Sequence, residues 1–134
     1  MIDAIDKAAG LTPDDVLFRA RRFRTDFVDG AEACRRSVLT PENDLGLTAA
    51  LRLALARRIA ARNNDLPLIA EYDALLKQQQ PDASLLALAS GEDTLPEPLS
   101  TLAQHSDLIT LTPERADADA IRRLEQAGLN NPQI

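Results

Sequence analysis

The sequence is poor in the residues that build disulfides, metal sites and aromatic cores. Its 134 residues include one cysteine, one histidine, one tyrosine and no tryptophan, and aromatic residues make up 3% of the chain. One cysteine excludes an internal disulfide and a cysteine-rich zinc site. No metal-ligand spacing and no glycine-rich phosphate-binding loop occurs. We therefore expect neither a metal nor a cofactor.

Long apolar runs and alternating strand patterns are missing as well. No stretch approaches the roughly 18 apolar residues of a membrane-spanning helix, and the N-terminus lacks the regions of a secretory signal peptide. No alternating run of β-branched residues indicates a sheet. These absences predict an all-α protein, located in the cytoplasm, that does not bind the membrane and has a core built mostly from Leu and Ala.

The charge is unevenly distributed along the chain. Residues 1–64 carry 11 basic and 9 acidic side chains, a net charge of +2, whereas residues 65–134 carry 4 and 12, a net charge of −8. Nucleic-acid binding needs a basic surface, often with aromatic side chains on which bases stack. Here acidic residues are interspersed among the arginines, and the net charge is −6. We therefore expect no nucleic-acid partner.

Residues 47–80 predict two helices joined by a short polar turn. Thr48 is a good N-cap for the first helix, predicted over 47–62. A proline is tolerated in the first turn of a helix, so Pro67 marks the start of the second, predicted over 66–79. A short turn between two long helices favours an antiparallel pair, which we place at the centre of the bundle. The apolar positions recur at helical spacing: Leu51, Leu55 and Ile59, then Leu68, Tyr72, Leu75 and Leu76.

The first forty residues predict further helices. Thr12 and Pro13 form a typical helix start, with a capping hydroxyl followed by a first-turn proline. A later stretch has apolar residues on one helical face, which we expect to be buried. That face consists of Phe27, Ala31, Cys34 and Val38.

We predict a single domain over 1–134, because this length supports one modest core. Turn-forming residues predict flexible connections at about 40–46 and 91–98. Residues 129–134 combine a capping asparagine with a first-turn proline, which is how a helix begins. Either these residues form only a capping turn, or the chain is a truncated form of a longer protein with a further helix after residue 134. Of these two interpretations, we expect the truncated form.

Three phrases of the chain resemble the carboxymuconolactone decarboxylase and alkylhydroperoxidase D-like superfamily, in particular its CMD domain proteins. They are AAGLTPDDVLFRARR, LTAALRLALARRIAARNNDLPLIAEYDALL and LAQHSDLITLTPERADADAIRRLEQAGLNNPQI. The resemblance covers nearly the whole chain. It implies an alkylhydroperoxidase D-like helical bundle and an oligomer whose subunits pack through helices.

The peroxidase members of this superfamily carry a glutamate, a Cys-x-x-Cys pair and a histidine. The cysteine pair attacks peroxide and closes a disulfide, while the other two side chains move protons. The resemblance places these positions at Leu53, at Asp65 and Leu68, and at Tyr72. Every catalytic position is substituted, so the family's chemistry does not carry over to these residues.

Two side chains remain candidates for catalysis. Cys34 fits a buried small apolar residue, but Arg35 and Arg36 beside it also fit an activated thiol that needs a second thiol from another molecule. His105 fits a boundary residue or a general base.

The region of the family's site leaves two interpretations open. Asp65 and Tyr72, with Glu71 and Asp73, fit helix capping and core packing, or a residual pocket that binds a small molecule without redox chemistry.

We predict a catalytically silent superfamily member that acts as a binding or assembly protein. It is expected to be a homo-oligomer, because a short, aromatic-poor chain with apolar residues on several faces of its central helix buries little by itself. An active alkylhydroperoxidase-like paralogue is a further expected partner. The alternative is a peroxidase-related thiol oxidoreductase that uses Cys34 or groups of a partner.

Overall fold

The computed structural model describes residues 1–134 and consists of helices and turns, which confirms the all-α prediction. No helix is long and apolar enough to cross a membrane. Eight α-helices follow one another: α1 (Ala4–Ala8), α2 (Val16–Arg21), α3 (Thr25–Leu39), α4 (Ala49–Arg62), α5 (Leu66–Gln78), α6 (Ala83–Ser90), α7 (Leu99–Leu111) and α8 (Ala118–Gln126). Three short 3₁₀ turns lie at Arg22–Arg24, Pro113–Arg115 and Asn131–Gln133.

The chain divides into two compact units. The N-terminal unit comprises Met1–Glu42 and contains α1 to α3, and the C-terminal unit comprises Asn43–Ile134 and contains α4 to α8. The single domain over 1–134 stays a prediction.

Buried ion pairs hold α1 against α2 in the N-terminal unit. Asp3 and Asp6 cap the start of α1 reciprocally, each accepting the other's backbone N–H. The same carboxylates bind two guanidiniums: Arg21 Nη2 lies 2.8 Å from Asp3 Oδ2, and Arg21 and Arg22 both bind Asp6. Buried carboxylates need such partners because an unpaired buried charge is costly. This arrangement joins a five-residue helix, too short to be stable alone, to its neighbour.

The predicted helix start at Thr12 and Pro13 is wrong. The Thr12 backbone N–H and hydroxyl both donate to Asp15 Oδ2, at 2.6 and 2.8 Å, so these residues form a turn. Helix α2 begins only at Val16. Asp15 occupies the N-cap position of α2, but its carboxylate bonds to Thr12 and not to a backbone N–H of the helix. Phe18 is the buried apolar residue of α2.

Helix α4 is the centre of the C-terminal unit, where it packs against α5, α6 and α7. Ala54 and Ala60 are buried along it, and small side chains allow neighbouring helices to approach closely. The predicted helix pair is confirmed within one or two residues at each end. Arg57 of α4 and Asp73 of α5 form an ion pair at 2.9 Å. Along the chain, the two residues are separated from Asp65 in the connecting turn by the same number of positions. This is expected when α4 and α5 are antiparallel neighbours.

Candidate functional site

A cavity of about 240 Å³ lies between α7 and α8. Helix α7 supplies most of its wall, and α8 closes it with one small and one basic residue. The lining residues are Thr101, Gln104, His105, Leu108, Ala120 and Arg123. The cavity therefore combines polar hydrogen-bonding groups, one permanent positive charge and an apolar wall, with no carboxylate.

His105 is the titratable residue of this cavity. Its Nδ1 atom is buried and has no hydrogen-bond partner. A buried Nδ1–H would lose its hydrogen bonds to water without gaining an acceptor, so we assign the proton of the neutral ring to Nε2. Burial lowers the pKa of His105, and the positive charge of Arg123 lowers it further. Both effects favour the neutral form of the ring, which lies beside a cation.

Arg123 brings an unneutralised charge to the cavity. No ion pair or hydrogen bond engages its guanidinium, whereas its neighbour Arg122 pairs with Asp119 on the exposed side of α8. Thr101 also keeps its hydroxyl without a partner, and the Gln104 amide donates only to Ser100 Oγ, at 3.3 Å. The cavity thus offers donors to an anion, and a cation would find no acidic ligand there.

A buried arginine holds α7 in position beside this cavity. Arg58 of α4 is 1% exposed and binds both carboxylate oxygens of Asp107, at 2.9 and 2.8 Å. Its remaining N–H groups bind Asp93 and the carbonyl oxygens of Leu88 and Glu92. With all five donors used, Arg58 has none left for a ligand, so its role is to join α4, α6 and α7.

The four positions to which the resemblance assigns the peroxidase residues hold a core side chain, a helix cap and two half-buried side chains. Leu53 is 2% exposed in the core, and the Asp65 carboxylate caps α5 by accepting the Leu68 backbone N–H at 3.2 Å. Leu68 and Tyr72 are half-buried on α5. No group of three or more His, Cys, Asp or Glu side chains is arranged to hold a metal ion.

An open groove of about 540 Å³ lies beside α5 and α6, and none of these four positions lines it. Its charged lining includes Arg57 and Asp73, which neutralise each other. Glu92 adds a carboxylate that forms no ion pair, so the groove offers an anionic ligand no free cation.

Cys34 is exposed, so the expectation of a buried thiol is wrong. Helix α3 has two apolar faces, and the buried one carries Val28 and Leu39. The other face, which we call the α3 seam, stays exposed, with Phe27 at 63% and Val38 at 55% of their full accessibility. The α3 seam consists of Phe27, Ala31, Cys34 and Val38.

Of the two candidate side chains, Cys34 belongs to the N-terminal unit and His105 to the C-terminal unit. Sequence patterns did not identify Arg123 as the charged residue beside His105, because the two residues come together only through the packing of α7 and α8. No protein-family model, curated protein sequence or solved structure matches the chain. The resemblance to the alkylhydroperoxidase D-like superfamily stays a prediction.

Proposed function

We propose that this protein is a catalytically silent, alkylhydroperoxidase D-like assembly domain that pairs with a second copy of itself through the α3 seam. The observation that carries this proposal is an exposed apolar face with the spacing of a coiled coil. Single exposed apolar residues are normal in proteins, but a continuous face marks an interaction surface.

The residues at the superfamily's catalytic positions support the proposal that the protein has no peroxidase activity. A two-electron peroxidase cycle needs a thiolate that attacks peroxide and a second thiol that resolves the sulfenic acid. Leu53 is a core residue and Asp65 a helix cap. The chain has one thiol in all. Such a chain cannot complete the cycle with its own groups.

The α3 seam has the geometry of a helix-pairing surface. Its residues are separated by steps of four, three and four, the a/d spacing that brings two helices together. Gly30, beside the seam, lies within the helix, where glycine costs about 1 kcal/mol relative to alanine. A Cβ at Gly30 would meet nothing within 4 Å. Packing inside the chain therefore does not require this glycine, and the open space suits a neighbouring helix.

A second copy is the occupant that fits this surface. The α3 seam has a large side chain at each end and two small side chains between them. An antiparallel copy therefore places Phe27 opposite Val38 and Ala31 opposite Cys34. Such a pair is isologous and closes as a dimer. Asp26 lies near the N-terminal end of α3 and Arg36 near the C-terminal end. Antiparallel pairing therefore brings ends of opposite charge together, whereas parallel pairing would align like charges.

Sedimentation equilibrium of two matched variants tests the assembly. Ala31 lies in the seam and Ala33 on another face of α3, and both are exposed. Ala31→Lys should therefore give the 14.6 kDa mass of one chain, whereas the unchanged protein and Ala33→Lys should give twice that mass. A monomeric unchanged protein at tens of micromolar would contradict the proposal, as would equal behaviour of the two variants.

The exposure of Cys34 favours one alternative, a thiol peroxidase that borrows its second thiol. The thiolate would take the terminal peroxide oxygen, giving sulfenic acid and an alcohol, and a partner's thiol would then form a disulfide and release water. A dithiol would reduce that disulfide. Under the silent-assembly proposal, hydroperoxide consumption with a dithiol matches that of Cys34→Ser. Faster consumption by the unchanged protein would support the alternative.

An alkylhydroperoxidase-like paralogue remains a further proposed partner. We propose the α3 seam as the surface for this partner too, so Ala31→Lys should abolish any such complex and Ala33→Lys should preserve it.

A further inference from the structure

We propose that the cavity between α7 and α8 binds a small monocarboxylate, whose carboxylate lies against Arg123, Thr101 and His105 and whose short apolar tail lies against Leu108 and Ala120. This inference concerns the C-terminal unit and goes beyond the proposed assembly function.

The polar groups of the cavity select an anion. Arg123 is the one permanent charge of the lining, and it has no carboxylate partner in the chain. The Thr101 hydroxyl is without a partner, and the neutral His105 ring offers its Nε2–H group. An arginine is well suited to a carboxylate because its planar fork matches the two carboxylate oxygens. No acidic side chain lines the cavity, so nothing in it repels an anion.

The size and the apolar wall select the rest of the ligand. About 240 Å³ is the space of roughly eight water molecules at about 30 Å³ each. That volume suits an acid of a few carbon atoms and is below the usual range of about 300–1,000 Å³ for drug-sized ligands. Leu108 and Ala120 form a wall that favours a hydrocarbon tail over a fully hydrated ion. The affinity for phosphate should be lower, because the cavity offers this strongly hydrated anion a single permanent cation and an apolar wall.

His105 is the only histidine, so its ring protons give a unique NMR signal in the full-length protein. Butyrate is the probe, and butyramide, which has a similar shape but no charge, is the matched ligand control. At constant ionic strength, butyrate should shift the His105 signal saturably, and butyramide should not. Binding should also raise the pKa of His105, since a nearby negative charge favours the protonated ring.

Two neighbouring arginines provide the matched variants. Arg123→Gln should weaken butyrate binding at least about tenfold, as expected for the loss of a charged hydrogen bond. Arg122→Gln, which removes the same charge outside the cavity, should change the affinity less than about twofold, the effect of an exposed charge. Both residues are exposed on α8, so neither change disturbs the core.

Four results would overturn the inference. They are a His105 signal that does not saturate with butyrate, an equal response to butyramide, equal weakening by the two arginine variants, and displacement of butyrate by an equal concentration of phosphate. Ala31 does not line the cavity. Butyrate binding by Ala31→Lys therefore tests this inference independently of the assembly proposal.

Discussion

Asp107 binds Arg58 through both of its carboxylate oxygens, at 2.9 Å from Nε and 2.8 Å from Nη2. Forty-nine positions along the chain separate the two residues. The side chain of Arg58 is 1% exposed, so Asp107 is the main counterion of a charge that water hardly reaches. Burial acts to raise the pKa of Asp107, but the hydrogen bonds and positive charges of Arg58 and Arg62 together outweigh it and lower the pKa.

Removal of Asp107 should therefore destabilise the C-terminal unit strongly. Loss of one partner of a buried ion pair leaves the other charge uncompensated and costs about 3 kcal/mol or more. We expect this loss for Asp107→Ala in urea unfolding followed by circular dichroism. Asp93→Ala is the matched control, because Asp93 binds the same arginine through a single hydrogen bond and its side chain is 85% exposed. Water can take its place, so the cost should be clearly smaller than for Asp107→Ala. Similar losses in both variants would show that burial of the pair does not matter.

The stability of the N-terminal unit should fall in acid. The Arg22 hydrogen bond holds the pKa of Asp6 well below its ordinary value of 3.8, and the Arg21 hydrogen bond lowers the pKa of Asp3. Below pH 3.8 the unfolded chain therefore binds protons that the folded unit does not, and the free energy of unfolding decreases. The contribution is fully present well above pH 3.8 and is lost as the pH falls towards the lowered values.

Urea unfolding at pH 7 and at pH 3 measures this effect. Asp6→Asn should be less stable than the unchanged protein at pH 7 and should lose less on acidification, since one of the two titrating carboxylates is gone. Asp29→Asn, an exposed change on α3, should behave as the unchanged protein at both pH values. An acid response in Asp6→Asn as large as that of the unchanged protein would refute the assignment.

Leu88 should be the most sensitive apolar position of α6. It is 0% exposed, and Leu88→Ala should cost about 2–5 kcal/mol because it removes buried methyl groups and leaves a cavity. Leu86 lies on the same helix at 52% exposure, so Leu86→Ala should cost less than about 1 kcal/mol. Thermal unfolding followed by circular dichroism compares the two, and a small effect at Leu88 would mean that α6 repacks around the space.

The central helix pair was predictable because its signals are local. Thr48 and Asp65 cap the two helices as single residues, and the apolar spacing repeats within each helix. The start of α2 was not predictable in the same way, since Thr12 and Asp15 are both good caps. Only the bonds between them decide which residue begins the helix.

The sequence left the ion pairs and the cavity undetermined for a different reason. Arg58 follows a polar pattern that indicates a solvated face, and its burial depends on Asp107, which approaches only when α7 packs on α4. His105 meets Arg123 only when α8 packs on α7. Cys34 was assigned to the wrong side because α3 carries two apolar faces, and periodicity does not say which of them the rest of the chain covers.

The single thiol and the single imidazole lie in different compact units. Each unit therefore contains one residue whose signal can report on its unfolding. A probe attached to Cys34 reports loss of structure in Met1–Glu42, and the His105 ring protons report it in Asn43–Ile134. In one denaturant series, coincident midpoints would establish a single cooperative domain, and separated midpoints would establish two folding units. Neither measurement requires a residue to be introduced into the chain.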